Sequence, residues 1–226
     1  MTPEEMLARL LYRDGLMLVV DKPAGLPVHR GPKGGNALED YFDALRFGLP
    51  RPPALAHRLD RDTTGCLVLG RHRKALALLG KLFKQGKVGK CYWTIVEGGP
   101  EADEGRIDIP LSRRDDARGW WMKADEHGLP SASTWKVMGR AGGFSWLALE
   151  PLTGRTHQLR VHCAEMGWPI FGDSIYGGAP RAGGPPLHLH SREVTVPISK
   201  NKAPVVVTAP VPEHMRDKLG ACGFTQ

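Results

Sequence analysis

The chain has 226 residues and a formal net charge of +7, with 41% hydrophobic and 24% charged residues, which is ordinary for a globular protein. Its length allows a core that needs no disulfide or structural metal, and no apolar run approaches the roughly 20 residues of a membrane-spanning helix. The excess of basic residues favours a polyanionic partner, nucleic acid first.

The first 15 residues, MTPEEMLARLLYRDG, predict a helix in which Thr2 is the N-cap, Pro3 lies in the first turn and Glu5 closes a capping box. The stretch is too acidic, and its apolar part too short, for a signal peptide. The four cysteines lie far apart and form no C-x-x-C pair, which disfavours disulfides and a zinc site and agrees with a reducing compartment. We therefore expect a cytoplasmic protein.

The next segments predict a strand, a loop, a helix and a second strand. Residues 16–20 (LMLVV) are a candidate buried strand, and the Pro/Gly-rich stretch after them predicts a loop. Residues 36–48 have helical spacing of apolar residues, with Asn36 as a cap. Residues 66–70 (CLVLG) predict another buried strand, and residues 73–85 an amphipathic helix with a basic outer face.

The second half of the chain is richer in strand signals. Residues 87–99 predict a strand, and residues 101–132 predict hairpins or an extended insertion. Residues 145–167 predict a strand, a turn and a helix that ends at Gly167.

Two closing strands are predicted, at residues 186–197 and 203–210. No internal repeat or linker is visible, and helices and strands do not alternate regularly. We therefore expect one α+β domain over residues 1–226, with a mixed, largely antiparallel sheet and flanking helices.

The stretch HRLDRDTTG, residues 57–65, places acidic side chains among basic ones immediately before a predicted strand, where functional groups commonly lie. Its charged and titratable residues are His57, Arg58, Asp60, Arg61 and Asp62. Two interpretations are open: the charges neutralise one another, or one carboxylate is a reagent that the cations hold in place.

Two further stretches carry polar groups. KCYWTIV, residues 90–96, offers Tyr92 and Trp93 on a basic strand. GRTHQLRVH, residues 154–162, clusters polar side chains at a helix start: Arg155, His157, Gln158, Arg160 and His162. His157 and Arg160 lie three residues apart and can converge on one ligand.

Taken in order, these motifs resemble the RluA-type pseudouridine synthases. HRLDRDTTG is similar to the family's H-R-L-D-x-x-T-S-G motif, and LEPLTGRTHQLRVHCAEMGWPIFGDSIYG to its second signature. LVVDKPAGLPV and GKCYWTIVEG fall in the family's order, so the resemblance runs from about residue 15 to residue 197. Thr64 stands where Ser is usual and Thr94 where a small Ala is common, and neither change removes a reacting group.

The resemblance implies isomerisation of a uridine within RNA: the C1′–N1 bond breaks, the uracil turns over and C5 joins C1′, without cofactor or metal. It places the essential carboxylate at Asp60 and its guanidinium partner, which would keep it ionised, at Arg160. Tyr92 matches the aromatic that stacks on the base, and its hydroxyl is a candidate for removing the C5 proton. Arg58 is suited to fill the stack that the extruded base vacates.

The resemblance also implies a set of substrate or RNA contacts at Arg58, His57, Thr63, Arg155, His157, Leu159 and Lys90. His57 either holds the loop or contacts a phosphate. We expect a monomer that acts on a stem-loop of rRNA or tRNA. Only about fourteen residues precede the first motif, so we expect this protein to lack the N-terminal RNA-binding domain of some members. The loop at 29–35, the insertion at 101–130 and the basic helix would then find the target.

Other interpretations remain. A non-catalytic RNA-binding or ribosome-assembly factor would have lost a reacting group, and none is lost. A metal-dependent hydrolase would use the histidines, but the spacing of His157, His162, His188 and His190 fits no usual zinc pattern. The lysines of the basic helix either form a solvated face or position phosphates.

Overall fold

A computed structural model describes residues 1–31, 34–114, 121–199 and 201–225. Its helices are α1 (Pro3–Ala8), α2 (Arg73–Lys84), α3 (Gln158–Glu165) and α4 (Glu213–Ala221), and a 3₁₀ helix covers Leu38–Leu45. Its strands are β1 (Leu10–Arg13), β2 (Met17–Lys22), β3 (Ala54–Leu55), β4 (Thr64–Gly70), β5 (Gly89–Glu97), β6 (Glu104–Asp108), β7 (Leu111–Arg113), β8 (Met122–Ala124), β9 (Ala132–Ala141), β10 (Phe144–Pro151), β11 (Leu189–Val196) and β12 (Val205–Thr208). Among the described residues, no helix is both long and apolar enough to cross a membrane.

The chain divides into two compact units. The first comprises residues 1–90 and 191–210, and the second comprises residues 91–190 and those from 211 onward. In the first unit the strands follow the order β1-β2-β4-β11, with β3 beside β4 and β12 beside β11. In the second the order is β5-β10-β9-β6, and β7 and β8 form a separate hairpin. The pairs β1–β2, β2–β4, β5–β10 and β9–β10 are antiparallel, which confirms the predicted α+β class with a largely antiparallel sheet.

In the first unit, α2 packs on the central strands. Its Leu79 and Leu82 join a core with Met17 of β2 and other buried strand residues. A Cβ atom at Gly70 would lie only 2.8 Å from the Cα atom of Leu76. Glycine at the end of β4 therefore lets α2 approach the strand closely.

In the second unit, α4 covers one face of β5 and β10. Met215 and Leu219 of α4 are fully buried in a cluster with Ile95 of β5. Helix α4 has no counterpart among the elements predicted from the sequence.

The N-terminal helix is shorter than predicted. The capping box is present, since Thr2 N–H donates to a Glu5 carboxylate oxygen at 2.7 Å and Glu5 N–H donates to Thr2 Oγ1 at 3.2 Å. The helix ends at Ala8, however, and Leu10–Arg13 form β1, with Leu10 opposite Val20. Pairing with β2 decides the conformation of these residues, and the prediction of one helix through them was wrong.

The helix predicted at residues 36–48 is a 3₁₀ helix whose N-cap is Ala37, so the prediction of Asn36 as the cap was wrong. The carboxylate of Asp40, in the first turn, accepts from the N–H of Ala37 itself at 2.9 Å, and no side chain of the N-cap accepts from the first turn. The predicted α2, the end of α3 at Gly167 (φ +82°) and the two closing strands are confirmed.

Candidate active site

Residues 57–63 form the loop that leads into β4, as predicted, and Thr64 and Gly65 are the first residues of that strand. Leu59 (4% exposed) and Thr63 (2% exposed) are buried, Arg58 and Asp62 are exposed, and Asp60 is half-buried. Thr63 N–H donates to the carbonyl oxygen of Asp60 at 3.2 Å and closes a turn. The Asp60 side chain is thus carried by a turn whose neighbouring residues are anchored in the core.

His57 holds the start of this loop. Its Nε2 atom accepts from Val68 N–H at 2.9 Å, and its ring stacks on Phe83 with the centroids 4.5 Å apart. Burial, and to a smaller extent the charge of Lys90, lowers the pKa of His57 to about 3. A neutral imidazole therefore joins the loop to β4 and α2, and the contact of His57 with RNA stays a prediction.

Lys22, the last residue of β2, was missed by the sequence reasoning. Its side chain is fully buried, and its Nζ atom donates to the carbonyl oxygens of Pro23 (2.8 Å), Arg61 (2.7 Å) and Thr63 (3.0 Å). Two of these acceptors follow Asp60 in the loop. Lys22 therefore fixes the backbone of the turn on which Asp60 lies.

The charge of Lys22 also belongs to the site. Burial lowers its pKa to about 7, while the carboxylates of Asp62 and Asp60 act in the opposite direction. The sequence carries a signal for this role of Lys22. Side chains alternate along a strand, so Lys22 lies on the same face of β2 as the fully buried Leu18 and Val20. An ammonium on a buried face needs hydrogen-bond partners.

In the second unit, Tyr92 lies on β5 and is 8% exposed. Its neighbour Trp93 packs edge-on against Trp146 at 4.7 Å, so Tyr92 faces away from that aromatic cluster. Thr94 stands at a position where the resembled family commonly has Ala. It is fully buried, and its hydroxyl donates to the carbonyl oxygen of His188 at 2.7 Å. This departure from the family pattern therefore has a structural role.

Arg160 forms a buried two-point ion pair with Asp173. Its Nε and one terminal nitrogen each donate to a carboxylate oxygen at 2.8 Å, and the two side chains are 5% and 1% exposed. Burial favours the neutral carboxyl group, but the hydrogen bonds and charge of Arg160 outweigh it and lower the pKa of Asp173. The sequence reasoning did not anticipate Asp173, and the pairing of Arg160 with Asp60 stays a prediction.

His157 and Arg160 both contact Tyr176, and their convergence on one ligand stays a prediction. The Nδ1 atom of His157 lies 2.8 Å from the Tyr176 hydroxyl, and the Arg160 guanidinium lies 5.3 Å from the centroid of the ring. His157 is the N-cap of α3 with φ +53°, a left-handed conformation that costs a non-glycine residue energy. Tyr176 lies within the second signature but received no role from the sequence.

The loop before α3 is held by Gln158. Its Oε1 atom accepts from Thr153 Oγ1 at 2.7 Å and from Arg155 N–H at 3.0 Å. The side chain of Arg155 is exposed, and its Nε donates to the carbonyl oxygen of Pro130 at 3.2 Å.

The remaining predicted RNA contacts occupy different environments. Leu159 is 7% exposed, and Lys90 is half-buried, with its pKa lowered by burial. The roles of Thr63, Lys90, Arg155 and Leu159 in RNA binding stay predictions. Residues 32–33 of the predicted 29–35 loop and residues 115–120 of the 101–130 insertion lie outside the described residues.

The histidines considered as metal ligands have other partners. His162 contacts the hydroxyls of Ser131 (3.2 Å) and Ser133 (3.1 Å), and burial lowers its pKa. His188 Nδ1 lies 2.8 Å from the carbonyl oxygen of Pro186. In the part of the chain that the structure describes, no group of three or more His, Cys, Asp or Glu residues could hold a metal ion.

Known proteins resemble this chain over most of its length. Residues 16–165 match the family model described as RNA pseudouridylate synthase. The chain is 43% identical over 213 residues to an uncharacterised RNA pseudouridine synthase of Zymomonas mobilis, which covers 92% of this chain and 96% of that protein. It is 34% identical over 225 residues to ribosomal large subunit pseudouridine synthase C of Haemophilus ducreyi, covering 95% and 69% of the two chains. Its fold is similar to that of human RNA pseudouridylate synthase domain containing 4, with a TM-score of 0.80, 26% identity and coverage of 96% and 95%.

Proposed function

The chain belongs to the RluA-type family of RNA pseudouridine synthases, and from that membership we propose that Asp60 is the carboxylate with which it isomerises uridine in RNA. The observation that carries the proposal is the anchoring of the Asp60 turn. The buried ammonium of Lys22 donates to the carbonyls of Arg61 and Thr63, so the turn is rigid and lies beside a positive charge. Such preorganisation suits a reacting group.

The reaction explains why the carboxylate must be ionised. The C1′–N1 bond breaks, the uracil turns over, C5 joins C1′, and the proton on C5 leaves while N1 takes one up. Asp60 either attacks the ring or the sugar, or it stabilises the sugar cation, and a negative oxygen is needed in each case. An isomerisation of this kind needs no redox partner.

Tyr92 is proposed as the aromatic that faces the uracil. Its ring supplies a flat apolar surface, and its hydroxyl supplies a group that can take the C5 proton. Arg160 is held by Asp173 in a fixed orientation beside His157 and Tyr176. We assign Arg160 the role of maintaining the charge of the catalytic carboxylate.

Base extrusion is assigned to Arg58. Its exposed guanidinium follows the anchored His57 and precedes the buried Leu59, so its backbone is fixed while its side chain reaches solvent. Removing a uridine from folded RNA costs a few kcal/mol, which a planar cation in the vacated stack can offset in part.

The substrate is proposed to be a compact stem-loop of ribosomal RNA or tRNA, modified in the cytoplasm by a monomer. The name of the Haemophilus ducreyi relative, a ribosomal large subunit enzyme, supports ribosomal RNA. Pseudouridine mapping of total RNA from cells with and without the gene tests this directly. We expect one or a few uridines that are modified only when the gene is present.

The same cells separate catalysis from a role in ribosome assembly. The wild-type gene should restore the missing pseudouridines, and the Asp60→Ala gene should not. If the Asp60→Ala gene restores growth but not the modification, the cellular role belongs to RNA binding or assembly. Purified enzyme should keep its rate in EDTA, whereas loss of activity on chelation would favour a metal-dependent reaction.

A further inference from the structure

A cavity of about 240 Å³ lies in the first unit, between the segment after the 3₁₀ helix and the start of α2. Its apolar walls include Leu49, Pro50, Pro52 and Leu76. Its volume is below the roughly 300–1,000 Å³ of pockets for drug-sized ligands, so it suits one small planar ring. None of the residues assigned to catalysis lines it.

The remaining lining residues are Ala54, Gly70 and four basic residues, and none is acidic. The basic residues are Arg51, Arg71, His72 and Arg73. The side chains of Arg51 and Arg73 are exposed, and no carboxylate of the described residues forms an ion pair with either. Apolar walls thus carry a rim of uncompensated positive charge.

The walls of the cavity are fixed by hydrogen bonds. Arg71 donates to the carbonyl oxygens of Asp14 at 2.6 Å and of Phe47 at 3.4 Å. Arg46 donates to the carbonyl oxygen of Pro50 at 2.8 Å. A cavity that is already formed binds a ligand with little loss of conformational entropy.

The positive surface continues from the cavity along α2, which contains no acidic residue. Lys74, Leu78 and Lys81 lie on one helix face, and all three are exposed, Leu78 by 38%. Cations interleaved with an apolar side chain fit a nucleic-acid strand, whose phosphates alternate with sugars and bases.

We propose that this cavity binds one unpaired base of the substrate RNA other than the target uridine, with Arg51, Arg73 and Lys74 on the neighbouring phosphates. This proposal rests on the proposed function, because RNA is then the polyanion on which the protein acts. Polyglutamate would meet the same charges but would offer no planar ring to the proline-lined walls. The cavity therefore gives the enzyme a second contact with single-stranded RNA.

The test uses the full-length protein and a fluorescein-labelled single-stranded oligoadenylate, which contains no uridine for the active site. The Arg51→Gln/Arg73→Gln double variant should bind it about tenfold more weakly, and the slope of log Kd against log salt should fall by about 1.4, or 0.7 for each lost phosphate contact. Pro52→Ser should weaken binding without changing that slope.

Lys136→Gln/Arg216→Gln is the matched control. This double variant also removes two exposed cations. Each of them has an acidic neighbour, because Lys136 lies opposite Glu104 and Arg216 adjoins Asp217 in the sequence. Binding of the oligoadenylate should therefore change by less than about twofold. An oligoadenylate with 8-azidoadenosine should crosslink to peptides containing Pro50, Pro52 or Leu76.

Equal weakening in both double variants, or crosslinks confined to other peptides, would overturn the proposal. So would polyglutamate binding of equal strength with the same dependence on Arg51 and Arg73, which would identify an acidic protein as the partner. None of these measurements depends on turnover. The Asp60 assignment and this inference can therefore fail independently.

Discussion

The ammonium of Lys22 lies 2.7 Å from the carbonyl oxygen of Arg61, the residue directly after Asp60. A buried lysine thus holds the backbone of the proposed catalytic turn, and its charge lies near the carboxylate that the turn carries. Structure and electrostatics of the site depend on the same side chain.

Lys22→Met keeps the length of the side chain but leaves the carbonyl oxygens of Pro23, Arg61 and Thr63 without this donor. Leaving a hydrogen-bonding group without its partner costs about 1–3 kcal/mol, so we expect the free energy of unfolding to fall by about 3 kcal/mol or more. Urea denaturation measures this loss. Lys87→Met removes an exposed ammonium from the same unit and should change stability by no more than about 0.5 kcal/mol. Equal stability of the two variants would contradict the anchoring role.

The pH dependence of stability checks the same residue. The pKa of Lys22 falls from 10.5 in the unfolded chain to about 7 in the folded protein, so the folded state binds fewer protons between these values. The free energy of unfolding of the wild type, relative to Lys22→Met, should therefore rise as the pH increases from about 7 to about 10. A flat or falling difference would contradict the lowered pKa.

Asp173→Asn should be strongly destabilising because it removes the charge of the buried carboxylate that Arg160 pairs with at 2.8 Å. Breaking a buried pair in this way costs about 3–5 kcal/mol. Asp108→Asn is the matched control, since Asp108 and Arg106 form a two-point pair of similar geometry at 2.6 and 2.8 Å with both side chains more than half exposed. Thermal or urea unfolding should show that Asp108→Asn lowers the free energy of unfolding by no more than about 0.5 kcal/mol. Comparable decreases in the two variants would contradict this account.

Tyr92→Phe separates the two roles of the tyrosine. The variant keeps the ring, so KM should stay near the wild-type value, while loss of the hydroxyl should lower kcat by about 10²- to 10⁴-fold if it removes the C5 proton. Release of tritium from C5-labelled RNA reports that step. Tyr92→Ala should raise KM as well. Full activity of Tyr92→Phe would exclude the hydroxyl from proton removal and leave only the stacking role.

His57→Asn should destabilise the protein by about 1–3 kcal/mol because Val68 N–H loses its acceptor and Phe83 loses its stacking partner. The apparent pKa values of its pH–rate profile should match those of the wild type between about pH 5 and pH 8, since the pKa of His57 is about 3. Loss of an ionisation in that range would identify His57 as a titrating group of the reaction.

The sequence predicted those parts of the fold that depend on interactions between residues close together in the chain. The capping box at Thr2, the loop at Asp60 and the end of α3 at Gly167 follow from side-chain hydrogen bonding and backbone sterics within a few residues. The prediction of a helix through Leu10 was wrong because helical periodicity is read from neighbouring residues only. The strand conformation at Leu10 depends instead on pairing with β2.

The supports of the site were harder to predict because they come from distant parts of the chain. Lys22 reaches a loop 39 and 41 residues away, and Asp173 lies 13 residues from Arg160. Lys22 carried a detectable signal as a lysine on a buried strand face. Tyr176 had none beyond its place in a motif, since its contact with His157 depends on how the segment after α3 folds back.

Pseudouridine formation by purified Asp60→Ala and Asp62→Ala proteins, on an RNA that the wild type modifies, tests the central claim most directly. The two carboxylates lie in the same loop, but Asp60 is half-buried at the anchored turn and Asp62 is exposed. We expect Asp60→Ala to lose more than about 10³-fold in rate while it remains folded and binds RNA, and Asp62→Ala to stay within a few-fold of the wild type. Substantial pseudouridine formation by a folded Asp60→Ala protein would contradict the assignment.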